Sequence, residues 1–223
     1  MIDQERLEWK YSFSGFAQPV IDRISPHFRP IAFGSQEASE VHSLYFEGFD
    51  WPAFRETLSG NSVRYKCRLR WYDEPEPRSP IFEIKRKQGF HVNKERFQIP
   101  SFDPDLPPHL WAGALSEQLP PHIAILLLQR DIPVCHIQYT RRHFTALFDA
   151  DTRITVDTDL TVRHPSAYHA DEVISVPGNV LELKFPTTLT PPRTVLEAVG
   201  MRRSRNSKYR NAVVALGYHL PPE

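Results

Sequence analysis

The chain has 223 residues, and its 27 Lys and Arg balance 27 Asp and Glu, so the formal net charge is zero. This balance excludes the overall basic field typical of nucleic-acid-binding proteins, and nucleic acid is not expected as a partner. Only two cysteines, Cys67 and Cys135, are present, too few for a disulfide framework or a zinc set, which favours a reducing compartment. The N-terminus lacks an apolar signal-peptide core and the apolar run from Ile123 is too short for a bilayer, so we expect a cytoplasmic chain.

Alternation of polar and apolar residues predicts strands along most of the chain. The predicted strands are 6–13, 41–48, 62–72, 81–87, 91–99, 134–144, 153–160 and 180–186. Helices are predicted around 15–25, at 51–60, over 109–130 and through the C-terminal stretch 193–217. Strands with helices inserted between them indicate an α+β fold with a mostly antiparallel sheet.

The strands with the clearest alternation each carry one basic face. Their cations are expected to line up in rows across the sheet, with no acid opposite them. They are Lys66, Arg68, Arg70, Lys85, Lys87, Lys94 and Arg96. Each strand taken alone is typical of a solvated outer face, but opposed like charges are unfavourable and solvent faces usually mix signs. If the sheet closes, these rows line an interior. A cationic interior that is dry and empty is costly, whereas one filled by water and phosphate groups is stable.

A few acids share strand faces with these cations. Glu182 lies two residues from Lys184, and Glu8 lies two residues from Lys10. Such a carboxylate either pairs with a neighbouring cation or holds a hard divalent cation, which proteins bind through one or two carboxylates together with substrate phosphate oxygens. Both interpretations stay open at this point.

A series of short motifs runs through the chain from one end to the other. The motifs are "LEWKY" (7–11), "SLYFE" (43–47), "YKCRLRWY" (65–72), "FEIKRK" (82–87), "NKERF" (93–97), "YTRRHF" (139–144), "TRITVDTDL" (152–160), "LELKFP" (181–186) and "NSKYR" (206–210). In this order they resemble the vacuolar transporter chaperone (VTC) domain, the polyphosphate polymerase member of the triphosphate tunnel metalloenzyme (CYTH-like) superfamily. The resemblance implies a single domain over 1–223, folded as a closed antiparallel eight-stranded β-barrel, the triphosphate tunnel, with helices packed outside.

The resemblance also implies site residues, matched position by position. Phosphate contacts are expected from Lys10, Arg68, Arg70, Lys85, Lys94, Arg141, Arg153, Lys184 and Lys208. Glu182 matches the family's metal-binding glutamate, and the expected metal is Mn²⁺ or Mg²⁺. Glu8 is similar to an acid–x–Lys signature of the superfamily that VTC domains use differently, so it is not assigned to the metal. Asp157 shares a face with Arg153 and is expected to orient it, while Arg142 is expected in solvent.

The activity implied by the resemblance is transfer of the terminal phosphoryl group of ATP to a polyphosphate chain. Residues expected to act on the reacting phosphates are Arg68, Arg70, Lys85, Arg153 and Lys208. Two alternatives stay open: a triphosphatase that uses the same tunnel, and a non-catalytic polyphosphate-binding module. The expected partners are ATP, triphosphate or polyphosphate, and a separate membrane protein is compatible with the sequence.

Overall fold

The computed structural model describes residues 6–32, 36–89, 91–167 and 173–218. Its strands are β1 Arg6–Phe13, β2 Phe28–Ile31, β3 Ala38–Glu47, β4 Val63–Tyr72, β5 Ile81–Gln88, β6 His91–Gln98, β7 Ile132–Ala146, β8 Arg153–Arg163, β9 Ile174–Ser175 and β10 Asn179–Pro186. Its helices are α1 Gln18–Ile24, α2 Pro52–Leu58, α3 Pro108–Ser116, α4 Pro121–Leu128, α5 Arg193–Val199 and α6 Lys208–Ala215. The predicted α+β class is therefore confirmed.

The sheet is antiparallel at every pairing whose register is described. Hydrogen-bonded neighbours follow the order β1, β10, β8, β7, β3, β4, β5 and β6, with β2 beside β7 and β9 beside β8. Within the described residues, the end strands β1 and β6 are not paired with each other. The antiparallel sheet is thus confirmed, and the closed eight-stranded barrel is not.

The chain divides into two compact units. Unit 1 contains the residues up to Glu40 together with Tyr139–Leu160 and Pro177–Ser207. Unit 2 contains Val41–Gln138, Thr161–Val176 and the residues from Lys208 onward. The strands β3, β7 and β8 each begin in one unit and end in the other. The assignment of 1–223 to a single domain stays a prediction.

In unit 2, helices cover the apolar face of β4 and β5. Leu69 and Phe82 lie opposite each other on neighbouring strands and are fully buried. They belong to one core cluster with Trp111 and Leu115 of α3 and Ile123 of α4. Because side chains alternate along a strand, this packing directs the basic residues of β4 and β5 to the opposite face.

Unit 1 repeats this arrangement with different elements. Ile154 of β8 and Leu183 of β10 are register partners and fully buried. Ile24 of α1 and Val199 of α5 pack in the same core cluster. Ile154 therefore faces the covering helices, as the alternation predicts, and the polar residues of β8 and β10 lie on the other face.

Two of the predicted helices are wrong in extent. The helix predicted over 109–130 is α3 and α4, because Pro121 has no N–H to continue a helix through 117–120. The helix predicted over 193–217 is α5 and α6, and α5 ends where Gly200 adopts a left-handed backbone with φ of 59°. Among the helices of the described residues, none has the length and apolar character needed to span a bilayer.

Candidate functional site

One face of β4, β5 and β6 in unit 2 carries a surplus of positive charge. Register places Arg68 opposite Glu83, and Glu83 opposite Arg96. Directly opposed residues point to the same side of a sheet. The cations that share this face are Arg64, Lys66, Arg68, Arg70, Lys85, Lys87, Lys94 and Arg96. The structure therefore brings together four of the expected phosphate contacts, namely Arg68, Arg70, Lys85 and Lys94, with Glu83 as the one acid of these three strands on that side.

Glu83 is the acid that sequence reasoning missed, since the basic rows were expected to lack a matching acid. Its side chain is only 3% exposed and accepts hydrogen bonds from Arg68 Nε at 2.7 Å and Arg96 Nε at 2.9 Å. Arg70 Nη1 lies 3.7 Å from the same carboxylate. Burial alone would raise the pKa of Glu83, but Arg68, Arg70 and Lys94 outweigh it and hold that pKa well below its ordinary value.

Strand β3 also holds Arg68 and Arg70, through two hydroxyl groups. Arg68 Nη1 donates to the Tyr45 hydroxyl at 2.9 Å. Arg70 donates from Nε and Nη2 to the Ser43 hydroxyl, at 3.1 and 3.0 Å. A planar guanidinium held by several bonds loses little freedom when it binds an anion. Both arginines are therefore oriented before any ligand binds.

The same face contains a row of three lysines. Lys66 on β4 lies opposite Lys85 on β5, which in turn lies opposite Lys94 on β6. All three side chains are half-buried. Directly opposed like charges destabilise a sheet, and an anion bound across the row would relieve that repulsion. The row is suited to a ligand that carries several negative charges along its length.

The first residue of α6, Lys208, is placed by its neighbour Tyr209. The buried Tyr209 hydroxyl donates to the carboxylate of Glu47, which also accepts the backbone N–H of Phe54 in α2. Burial raises the pKa of Glu47, although the hydrogen bond from Tyr209 opposes this. Lys66 Nζ lies 4.6 Å from the centre of the Tyr209 ring. Through Tyr209, the start of α6 therefore contacts Glu47 of β3, which binds α2, and Lys66 of β4.

In unit 1, Glu182 lies among three cations, Lys10, Lys184 and Arg141. Its register partner is Lys10, whose Nζ is 3.2 Å from Glu182 Oε1 and 3.1 Å from Glu8 Oε1. Lys184 Nζ is 3.2 Å from Glu182 Oε2. Burial would lower the pKa of Lys10, but Glu182 and Glu8 outweigh it and raise that pKa above its ordinary value. The structure thus brings Lys10, Lys184 and Glu182 together.

Asp157 has a different partner from the expected one. Arg141 Nε donates to its Oδ1 at 2.6 Å and Arg141 Nη2 donates to its Oδ2 at 2.8 Å. Both carboxylate oxygens are therefore engaged by Arg141, and the expectation that Asp157 orients Arg153 was wrong. Arg153 lies opposite Lys184 in the sheet and is exposed. Lys10, Arg141, Asp157, Glu182 and Lys184 form the unit 1 cluster. The neighbouring Arg142 points away from this cluster and contacts the exposed Glu37.

His143 is a further residue of this cluster that sequence reasoning missed. Burial and the nearby Arg141 lower its pKa to about 4, and Lys184 and Arg153 act in the same direction against the opposing effect of Asp157. The signal in the sequence is that His143 lies two residues after Arg141 on β7, because residues two apart on a strand share a face. The pKa of His143 is therefore sensitive to the positive charges around it in unit 1.

The carboxylates of unit 1 fit a hard divalent cation. Glu182 and Glu8 both contact the ammonium of Lys10, so the two carboxylates lie near one another. Mg²⁺ and Mn²⁺ favour such oxygen donors and complete their coordination with water and substrate phosphate oxygens. Across the described ranges, no group of three or more His, Cys, Asp or Glu side chains is placed to hold a metal. The donors present suit a metal that binds together with a phosphate ligand.

Comparison with known proteins identifies the family. The family model described as "VTC domain" matches residues 6–217. The chain belongs to the VTC domain family. The resemblance carried by the motifs is thereby confirmed, and membership implies a polyphosphate-related function. This family is associated with enzymes of polyphosphate metabolism.

The fold of this VTC domain is also found in a solved structure, that of the PH1819 protein from Pyrococcus horikoshii OT3. The TM-score is 0.51 at 12% sequence identity, and the match covers 96% of this chain and 99% of that one. At this identity the likeness concerns the fold alone. No curated protein matches the sequence.

The first prediction concerns the buried carboxylate of Glu83. The folded-state pKa of Glu83 lies below the ordinary 4.5, so the ionised carboxylate stabilises the fold fully above pH 4.5. This stabilisation is lost as the pH falls through the folded-state pKa. Glu83→Gln should lower the free energy of unfolding by on the order of 3 kcal/mol at pH 7, and by less at pH 3. Urea unfolding at both pH values measures the difference.

The matched control for this variant is Glu95→Gln on β6. Glu95 pairs with Arg86 on the other face of the sheet, where both side chains are substantially exposed. An exposed pair contributes less than about 1 kcal/mol, so this control should unfold close to wild type. An equal loss of stability for Glu83→Gln at pH 7 and pH 3 would contradict the assigned role of Glu83.

The second prediction uses His143 as a probe of this VTC domain. An anion bound at the unit 1 cluster neutralises part of the field from Arg141 and Lys184, so tripolyphosphate should raise the pKa of His143 from about 4. Histidine NMR titration with and without tripolyphosphate measures the shift. The ring resonances of His122, exposed on α4, should not respond and serve as the control. An unchanged His143 titration in the presence of bound tripolyphosphate would show that the anion binds elsewhere.

Proposed function

We propose that this VTC domain is a polyphosphate polymerase-type phosphotransferase that moves the γ-phosphoryl group of ATP onto a polyphosphate chain. The observation that carries the proposal is the basic face of β4, β5 and β6, where Glu83 is outnumbered by cations, most of which are half-buried. A half-buried surplus of positive charge is stabilised by a polyanion. Membership of the VTC family supports phosphate chains as that polyanion.

The proposed reaction lengthens the chain by one phosphate. The terminal oxygen of the chain forms a bond to the γ-phosphorus of ATP. The bond from that phosphorus to the bridging oxygen breaks, and its electron pair leaves with ADP. Such transfers pass through a loose transition state in which negative charge spreads over the equatorial oxygens. The protein therefore acts by positioning the phosphates and neutralising their charge, and no covalent nucleophile is required.

The residues of unit 2 divide this work by side-chain type. Arg68 and Arg70 are fixed by Glu83 and β3, and the planar guanidinium group suits bidentate contact with phosphate oxygens. Lys85 acts as a mobile point charge beside them, and so does Lys94. Lys208, at the start of α6, would fix the reacting end. In unit 1, further phosphates would be bound by Lys10, Arg141, Arg153 and Lys184.

Glu182 would hold the divalent metal, Mn²⁺ or Mg²⁺, in unit 1. When bound, such an ion would neutralise part of the charge on phosphate oxygens. Lys10 and Lys184 already contact the two oxygens of this carboxylate. Their ammonium groups would turn to phosphate oxygens when the metal and its ligand bind.

The third prediction compares two adjacent residues of β5 that lie on opposite faces. Lys85→Met removes a cation from the basic face, whereas Arg86→Met removes one from the other face, where Arg86 pairs with Glu95. With ATP and Mn²⁺ the wild-type protein should form long polymer, resolved by gel electrophoresis. Lys85→Met should slow synthesis by at least about tenfold, the equivalent of one charge-assisted hydrogen bond. Arg86→Met should remain within about twofold.

Other results would contradict the proposal in distinct ways. Release of phosphate from tripolyphosphate, without polymer formed from ATP, would indicate a triphosphatase. Binding of tripolyphosphate with neither reaction, in Mn²⁺ or in Mg²⁺, would indicate a non-catalytic module. Equal loss of activity in Lys85→Met and Arg86→Met would show that overall charge matters and that the basic face does not.

The fourth prediction concerns the metal. Glu182→Gln should raise the Mn²⁺ concentration needed for half-maximal polymer synthesis by at least about tenfold, because even residues that only support a ligand account for roughly 10–100-fold in metal affinity. Glu197→Gln, an exposed carboxylate of α5 in the same unit, is the matched control and should behave as wild type. Unchanged Mn²⁺ dependence in Glu182→Gln would remove Glu182 from the metal site.

A further inference from the structure

The lysine row of β4, β5 and β6 has one member to which the family motifs assign no role. Lys85 and Lys94 are expected phosphate contacts, whereas Lys66 is not. Lys66 nevertheless lies directly opposite Lys85, on the same face and at the same level of the sheet. Side chains opposed in this way have their β-carbons about 5 Å apart. A group bound by Lys85 is therefore within reach of the longer Lys66 side chain.

Lys66 also reaches the start of α6. Its ammonium lies 4.6 Å from the centre of the Tyr209 ring, and Tyr209 directly follows Lys208 in the chain. The ring is buried, and its hydroxyl is bonded to the carboxylate of Glu47. Lys66 thus stands between Lys85 on one side and the helix start that carries Lys208 on the other.

The contacts of Lys66 differ from those of the arginine two residues along the strand. Arg68 donates directly to the ionised carboxylate of Glu83. The Lys66 ammonium contacts the aromatic face of Tyr209. Phosphate oxygens form charge-assisted hydrogen bonds with an ammonium, and these are comparable in strength to a cation–π contact with a buried ring. A phosphate group can therefore compete with the ring for Lys66.

We propose that Lys66 binds a phosphate group of the chain, next to the group held by Lys85 and on the side toward Lys208. The chain would then cross β4, β5 and β6 along the row of lysines. This inference rests on the proposed function, because it takes a phosphate chain as the ligand of the basic face. It adds to that function a residue and a direction for the bound chain within unit 2.

Tripolyphosphate affinity, measured by calorimetry, tests this inference without requiring turnover. Lys66→Met should lose about tenfold in affinity, the size expected for one charge-assisted hydrogen bond. Lys66→Arg keeps the charge and should remain within about threefold of wild type, while Arg86→Met on the opposite face should remain within about twofold. Thermal unfolding of each variant identifies any loss that comes from misfolding.

A second measurement uses the wild-type protein alone. Reductive methylation followed by mass spectrometry gives the reaction rate of each lysine, and tripolyphosphate should slow the methylation of Lys66 together with that of Lys85. If Lys85→Met weakens binding while Lys66→Met binds as tightly as wild type, or if Lys66 is not protected, the inference is wrong and the proposed function stands. If wild-type protein does not bind tripolyphosphate, the proposed function fails and the inference fails with it.

Discussion

Pairing between arginines and buried carboxylates is the interaction on which the polar faces of both units depend. In unit 2, Glu83 accepts hydrogen bonds from arginines on the two strands beside its own. In unit 1, Asp157 receives two parallel bonds from Arg141. Each face holds several cations close together, and without these acids the mutual repulsion would oppose the packing of the apolar faces beneath. The carboxylates stabilise the faces and orient the guanidiniums at the same time.

This pairing separates the arginines and lysines by function. Arginines bonded to acids are held in fixed directions, so their main contribution is geometry. The lysines carry their charge on a more flexible stem. A reaction that depends on positioning and charge neutralisation uses both properties, because phosphates must be held in line while their charge moves. Tyr45 and Ser43 complete the arrangement by fixing Arg68 and Arg70 from the neighbouring strand.

Much of this arrangement could be predicted from alternation and motifs. The spacing of Arg68 and Arg70 places them on one face, and the order of the motifs identifies the family. Alternation specifies a face but not the residue opposite, because register depends on how distant strands pair. For that reason Glu83 was not recognised as the partner of Arg68, and Asp157 was assigned to Arg153 on its own strand. Closure of the sheet is likewise a non-local property, which no single segment encodes.

The fixed pairing of the arginines has a consequence for how anion binding should respond to ionic strength. Buried ion pairs are screened much less than exposed charges, so dissolved salt hardly weakens the bonds between Arg68 and Glu83 or between Arg141 and Asp157. Half-buried lysines attract counterions from the solution, and a bound polyanion must displace them. The salt dependence of binding therefore comes mainly from the half-buried and exposed cations that take part. Arg68 and Arg141, whose charges are paired with buried acids, contribute less to it.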